Sequence, residues 1–290
     1  ELNLFLIHQW WHRQITAYAY QHLILQTFLE RGLEFEIAFL HFAYCCGPQA
    51  DNAKKILQGM KLAAQQGASW VLTPEMALQG YYMMRGDKQF QLASLQNKLL
   101  QEFMEACRQY KQRLFLGCGF VDEKTPRNSC AIISPDGTYY NRHDKTKVVP
   151  WITENWAHPG EKFEVWNLEG INTGVMVCAD AYFAEHGEKI AEQGAELAVV
   201  VAAWPPGGHA GPPEEAWKRL SRSANGIPVL ICNQTGTEGM DCSHAQSAVL
   251  CNGEVLFTYE GREAVLIIDF DEVKKLVLST EFVIINLADI

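Results

Sequence analysis

The sequence predicts an α/β sandwich whose sheets mix parallel and antiparallel strands. Three observations carry this expectation. Apolar, β-branched runs alternate with segments of helical periodicity along most of the chain. Two tight-turn signals, Pro135-Asp136-Gly137 and Asn252-Gly253, insert antiparallel hairpins into that alternation. The run from Ile171 to Asp180, I-N-T-G-V-M-V-C-A-D, is apolar almost throughout, as in a strand covered by helices on at least one face.

The chain opens on residues 1–35, an extension with no assigned role. Within it Gln14 to Leu29 is apolar but broken by Gln21, His22 and Gln26. It is too interrupted to span a membrane and lacks the charged start and cleavage site of a signal peptide. It reads as an amphipathic helix packed on the domain or on a partner chain. The main domain is expected over residues 36–290. Glu36 to Ala43 reads as the first core strand, closed by Gly47-Pro48. A helix from Asp51 places Ile56, Leu57, Met60 and Leu62 on one side, with Gly67 as its C-cap. A short strand then ends at Thr73-Pro74-Glu75.

Phe90 to Gln112 reads as a long helix and Leu114 to Val121 as a strand whose glycines let backbones approach closely. A hairpin over 129–134 and 138–141 leads into a polar, aromatic, proline-punctuated loop, Asn141 to Gly160. After the Cys178 strand come a helix (Glu185 to Leu197), a strand (Leu197 to Ala203), a helix from about Glu214 to Asn225 and a strand from Pro228 to Asn233. A hairpin turning at Asn252-Gly253 and a strand from Ala264 to Phe270 follow, and the β-forming tail Glu281 to Leu287 is a candidate for exchange with a second copy.

Composition narrows the function. A chain of 290 residues that is 48% hydrophobic can bury one large core. A formal charge of −10 argues against nucleic acid and anionic membrane as partners, because both need clustered Lys and Arg. The partner expected is a small molecule. The nine cysteines include no C-x-x-C pair, and the His8/His12 pair lacks the glutamate of a zinc-protease helix, so no metal and no cofactor is implied. An odd cysteine count in a chain too large to need staples suits a reducing cytoplasm.

Strand ends and an adjoining loop hold an acid, a base and a nucleophile: Glu75, Lys145 and Cys178. A helix following Cys178 would present its N-terminus and favour thiolate over thiol. Taken singly, each residue has a plainer reading. A strand-end cysteine usually packs as a small hydrophobe, a glutamate after proline usually serves a helix's first turn, and a loop lysine is usually solvated.

Six motifs in order change that balance. They are P-E-M-A-L-Q-G-Y at Glu75, H-D-K-T-K-V-V-P-W at Lys145, G-V-M-V-C-A-D at Cys178, G-A-E-L-A-V-V-V, C-N-Q-T-G, and S-A-V-L-C-N-G-E-V-L. Over about residues 36 to 270 the chain resembles the carbon-nitrogen hydrolase (nitrilase) superfamily. The resemblance implies a four-layer α-β-β-α sandwich with mixed sheets, a homodimer or higher homo-oligomer, and a Glu75-Lys145-Cys178 triad. Glu75 would take the thiol proton and return it to the leaving amine. Lys145, with the backbone N–H of Ala179, would hold the developing oxyanion. Lys147 stands two residues away as the other candidate lysine. Glu154 lies in a loop, P-W-I-T-E-N-W-A-H-P-G, that resembles the amidase version and would support Lys145.

Ala179-Asp180 replaces the Trp-Glu common in nitrile-cleaving relatives, which points to an amide or N-carbamoyl substrate. Tyr82, Tyr182 and Trp204 are candidates to line the pocket. The alternatives are a nitrilase, a catalytically silent scaffold of the same fold and, last, an acyl transferase.

Overall fold

The structure is a computed structural model, in which residues 34–46, 48–80, 92–149, 154–207, 213–238 and 240–287 are described. Two sheets face each other. Strand β1 (Glu34–His41) pairs in parallel with β2 (Ala68–Leu72), which pairs in parallel with β3 (Arg113–Asp122). Antiparallel strands β4 (Thr125–Ile133) and β5 (Tyr139–Asp144) extend that sheet on one side. In the second sheet a central parallel trio is made by β7 (Ile171–Val177), β8 (Leu197–Val201) and β9 (Val229–Cys232). It is flanked by β6 (Val165–Leu168) on one edge and by the hairpin β10 (Gln246–Cys251) and β11 (Glu254–Glu260) on the other. Strand β12 (Ala264–Asp271) returns to the first sheet beside β1 and carries β13 (Leu276–Val277) and β14 (Val283–Asn286).

Every central strand is buried on both faces, which explains why these segments read as continuous apolar runs. In β1, Ile37 and Phe39 enter the core between the sheets, while Ala38 and Leu40 join the core under the helices. Helices α1 (Gln49–Gln65) and α2 (Lys98–Tyr110) cover that outer face through Ile56, Met60, Leu100 and Phe103. Helices α3 (Ala184–Glu192) and α4 (Pro213–Ser223) cover the other sheet through Ile190, Trp217 and Leu220. Between the sheets, Leu72, Phe115, Val175, Val177, Val199 and Val201 interlock. Fully burying one such aliphatic or aromatic side chain is worth about 1.5–3 kcal/mol. The expected α-β-β-α sandwich with mixed sheets is therefore observed.

Several boundaries differ from the sequence expectation. The long helix expected from Phe90 starts at Lys98, where the Asn97 side chain caps the Leu99 N–H. Upstream, the Ala93 backbone bonds to Gly119 and Val121 of β3, so those residues extend the sheet instead of the helix. The first strand begins at Glu34, two residues before the expected domain start. Gly67, with φ 89°, sits just past α1, as a C-terminal glycine should. The turn residues Asn252 and Gly253 both take positive φ, 53° and 75°, the type I′ signature. The tail segment considered for exchange pairs with β12 of its own chain.

Candidate active site

The candidate residues converge where strands of both sheets end. Glu75 lies three residues past the end of β2, and its N–H donates to the Ala202 carbonyl just beyond β8 (3.2 Å). This cross-sheet bond fixes the acid's backbone. Gly117 of β3 passes so close beneath it that a Cβ there would lie 2.0 Å from the Pro74 oxygen and 2.8 Å from the Glu75 Cα. Lys145 follows β5; its N–H donates to the Asn128 carbonyl and its own carbonyl accepts from Gly160 N–H, both at 2.8 Å. Cys178 follows β7 with φ 45°, a left-handed conformation that non-glycine residues seldom adopt, and opens a five-residue 3₁₀ turn, Cys178–Tyr182.

The side chains form a closed ring. The Lys145 Nζ donates to Glu75 Oε1 and to Glu154 Oε1, each at 2.7 Å. The amide of Asn128 donates to the same two oxygens, 2.7 Å away in the case of Glu75. The other Glu75 oxygen accepts from Ala203 N–H (3.2 Å), and Glu154 Oε2 accepts from Val149 N–H (2.7 Å). Glu75, Asn128, Lys145 and Glu154 are all buried, so each ionic contact acts with little screening by water. Lys147, the alternative lysine, instead lays its ammonium over the Phe183 ring at 4.6 Å.

Burial works against the charge of Lys145, but Glu75, Glu154 and Cys178 hold its pKa well above the ordinary lysine value, so it remains an ammonium. Burial pushes the Glu154 carboxyl up, with Lys145 opposing and Glu75 reinforcing the rise. Burial also pushes the Cys178 thiol well above its ordinary value, and the Glu75 charge adds to this against the pull of Lys145. Only the short 3₁₀ turn starts at Cys178, so the long helix whose N-terminus would favour a thiolate there is not formed.

Asp180 lies in the short turn that follows Cys178. Its buried carboxylate accepts from Thr146 N–H (3.0 Å) and hydroxyl (2.8 Å), from Lys147 N–H (3.0 Å) and from Val177 N–H (3.2 Å), and it pairs with His143 Nε2 at 2.9 Å. Burial alone would raise its pKa, yet His143, Thr146 and Lys145 together hold it below the usual carboxylate value. The residue ties the Lys145 loop to the Cys178 turn.

Trp204 is almost fully buried and meets Trp217 edge-on in the core under the helices. Tyr182 is half-buried, between Phe183 and the Arg219 guanidinium. Ala179 is half-buried in the turn itself, and Tyr82 lies outside the described residues. Beside Glu75, a small apolar cluster joins Cys46, Met76 and Ala203 with Trp156 and Met240. Asn128 and the Ala203 N–H were not anticipated. An asparagine inside a strand carries no distinguishing sequence signal, and a backbone donor carries none at all. Among the described residues no three His, Cys, Asp or Glu side chains are grouped to hold a metal ion, and no helix is long and apolar enough to cross a membrane.

Residues 43–273 match the family model for carbon-nitrogen hydrolase, and the chain belongs to that family. By sequence it is 27% identical over 205 residues to a citrullinase of Francisella tularensis, covering 67% of this chain and 72% of the relative. It is 26% identical over 269 residues to an N-carbamoylputrescine amidase of Solanum tuberosum, covering 83% and 88%. These relatives place it in the amidase-like branch of the nitrilase superfamily. In fold it is similar to an amidase from Nesterenkonia sp., with a TM-score of 0.72 and 22% identity over 82% of this chain and 90% of that one.

Proposed function

We propose that this protein hydrolyses the C–N bond of a small amide or N-carbamoyl compound, with Cys178 as nucleophile. The observation that carries the reading is the Lys145 ammonium held at 2.7 Å from both Glu75 and Glu154 beside the Cys178 turn. A neutral thiol next to a carboxylate needs a base at the moment of attack, and Glu75 is placed to be one. Sγ attacks the carbonyl carbon while its proton passes to Glu75. Lys145 and the Ala179 N–H stabilise the oxyanion. Collapse of the tetrahedral adduct expels the amine, which takes the proton from Glu75, and leaves a thioester on Cys178. Water then attacks the thioester, giving its proton to Glu75, and release of the acid returns that proton to the sulfur.

Glu154 accepts a second hydrogen bond from the Lys145 ammonium and so helps to hold it. The odd count of nine cysteines in a chain of this size suits work in a reducing compartment such as the cytoplasm. Incubating the protein with matched amide, N-carbamoyl and nitrile substrates and following ammonia and acid release tests the reading. Turnover of amides or carbamoyl compounds is expected; turnover of nitriles alone would overturn it.

A further inference from the structure

The ring around Lys145 contains one neutral member, and its geometry is more demanding than packing requires. Asn128 is fully buried on β4. Its backbone carbonyl accepts from Lys145 N–H at 2.8 Å, and its side-chain nitrogen donates to the two carboxylate oxygens that hold the Lys145 ammonium. One residue therefore grips the lysine at its backbone and, through the carboxylates, at its tip. The amide has only one workable orientation, because turned over its oxygen would face two carboxylate oxygens. In the orientation seen, Oδ1 is buried and has no hydrogen-bond partner among the described residues, so the side chain's polar contacts there are its two donated bonds.

Glu75 Oε1 already receives two donors, Lys145 Nζ and Asn128 Nδ2. Oε2 receives a single, longer bond from Ala203 N–H, and that same N–H also interacts with the Cys178 sulfur. We propose that Asn128 is a positioning residue that saturates Oε1 of Glu75 together with Lys145, so that Oε2 is the oxygen that takes the Cys178 proton. Both hydrogens of one amide are used, one per carboxylate, which also holds Glu75 and Glu154 apart on the same ammonium. Among the described residues, the titratable groups facing the amide or its carboxylate partners are Glu75 after β2 and Lys145 and Glu154 after β5, with Cys178 after β7 beside Glu75. This proposal rests on the hydrolase reading above and assigns a role within the same site.

The test compares Asn128→Ala and the near-isosteric Asn128→Asp with wild type in two assays. The first is steady-state amide hydrolysis against pH. The second is alkylation of Cys178 by iodoacetamide against pH, read on the Cys178 peptide by mass spectrometry. Loss of a donor to an ionised carboxylate makes it easier to protonate, so the low-pH inflection in both assays is expected to rise by about one pH unit in Asn128→Ala. A drop in kcat of about 10–100-fold with KM within about threefold is expected alongside it, as for an interaction made in the transition state. Asn128→Asp keeps the volume but cannot donate when ionised, so it is expected to lose more at neutral pH and to recover partly on acidification.

Should Asn128→Ala not fold, Asn128→Ser is measured in the same way. Variants with kcat within threefold of wild type and an unmoved inflection would overturn the proposal. If wild type hydrolyses no amide or carbamoyl compound, the hydrolase reading falls, and the alkylation profiles alone decide the role of Asn128.

Discussion

The Asp180 carboxylate accepts both the backbone N–H and the hydroxyl of Thr146, at 3.0 and 2.8 Å, and so joins the Cys178 turn to the Lys145 loop across 34 residues of sequence. Asp180→Ala would leave the N–H groups of Thr146, Lys147 and Val177 and the ring of His143 without their acceptor. A loss of stability on the order of 3–5 kcal/mol is expected from breaking a buried charged network of this kind. Urea denaturation measures it. The pH sign follows from the lowered folded pKa. The stabilisation is full above the ordinary aspartate value of 3.8 and is lost as pH falls below it through the folded value. Asp180→Ala should therefore flatten the wild-type decline in stability in that acid range.

Burial lowers the His41 pKa from 6.5 to about 4, against weaker opposing bonds from the backbone of Asn233 and Gly261. The unfolded chain then binds the proton more readily than the folded one. The site does not weaken the fold above pH 6.5, and it progressively does so as pH falls from 6.5 towards 4. At 1.36 kcal/mol per pH unit this amounts to roughly 3 kcal/mol. Replacing His41 by Gln should remove that part of the slope, as measured by denaturation at pH 7 and pH 4.5.

Gly117 and Gly160 support the site from behind. A Cβ on Gly117 would meet the Pro74 oxygen at 2.0 Å, and one on Gly160 would meet the Asp144 oxygen at 2.1 Å. Both contacts are with backbone, so the neighbouring peptide must move. Gly117→Ala is expected to displace Glu75, and Gly160→Ala the start of the Lys145 loop. Each should lower kcat at least tenfold, since displacements of about 1 Å cost on the order of 100-fold. Variants as active as wild type would show that the site tolerates looser placement.

Lys145 is the only cation bonded to Glu75 and Glu154 among the described residues. Lys145→Ala leaves two buried carboxylates facing each other. A fall in kcat of about 100- to 1000-fold is expected from losing an oxyanion donor. The fold should also lose about 3–5 kcal/mol unless a carboxylate takes up a proton. Arginine should not rescue activity, because its planar fork cannot take the place of a point charge between two oxygens. Steady-state kinetics and thermal melts of both variants check this.

Much of the fold was legible because buried parallel strands are written as unbroken apolar runs; β7 through Val177 and β8 from Leu197 to Val201 are examples. The four-residue β6 and two-residue β13 were not legible, since strands so short carry too little pattern. The motifs mark Glu75, Lys145, Glu154 and Cys178 as candidates, and the fold brings the first three into direct contact. What the motifs could not show is the division of labour around them. Asp180 was legible as a residue of the turn after Cys178, but not its bonds to Thr146, Lys147 and His143, which lie more than thirty residues earlier. The surroundings of the thiol were not legible, because they include a carboxylate a hundred residues away in the sequence.

The account turns on Cys178 forming a covalent bond to its substrate. Quenching the enzyme in acid during turnover of an amide, then measuring intact and peptide masses, tests this directly. The expected result is an adduct of the acyl mass on the Cys178 peptide, removed by hydroxylamine and absent from Cys178→Ala, which should be inactive. Steady turnover without an adduct, together with undiminished activity in Cys178→Ala, would contradict it.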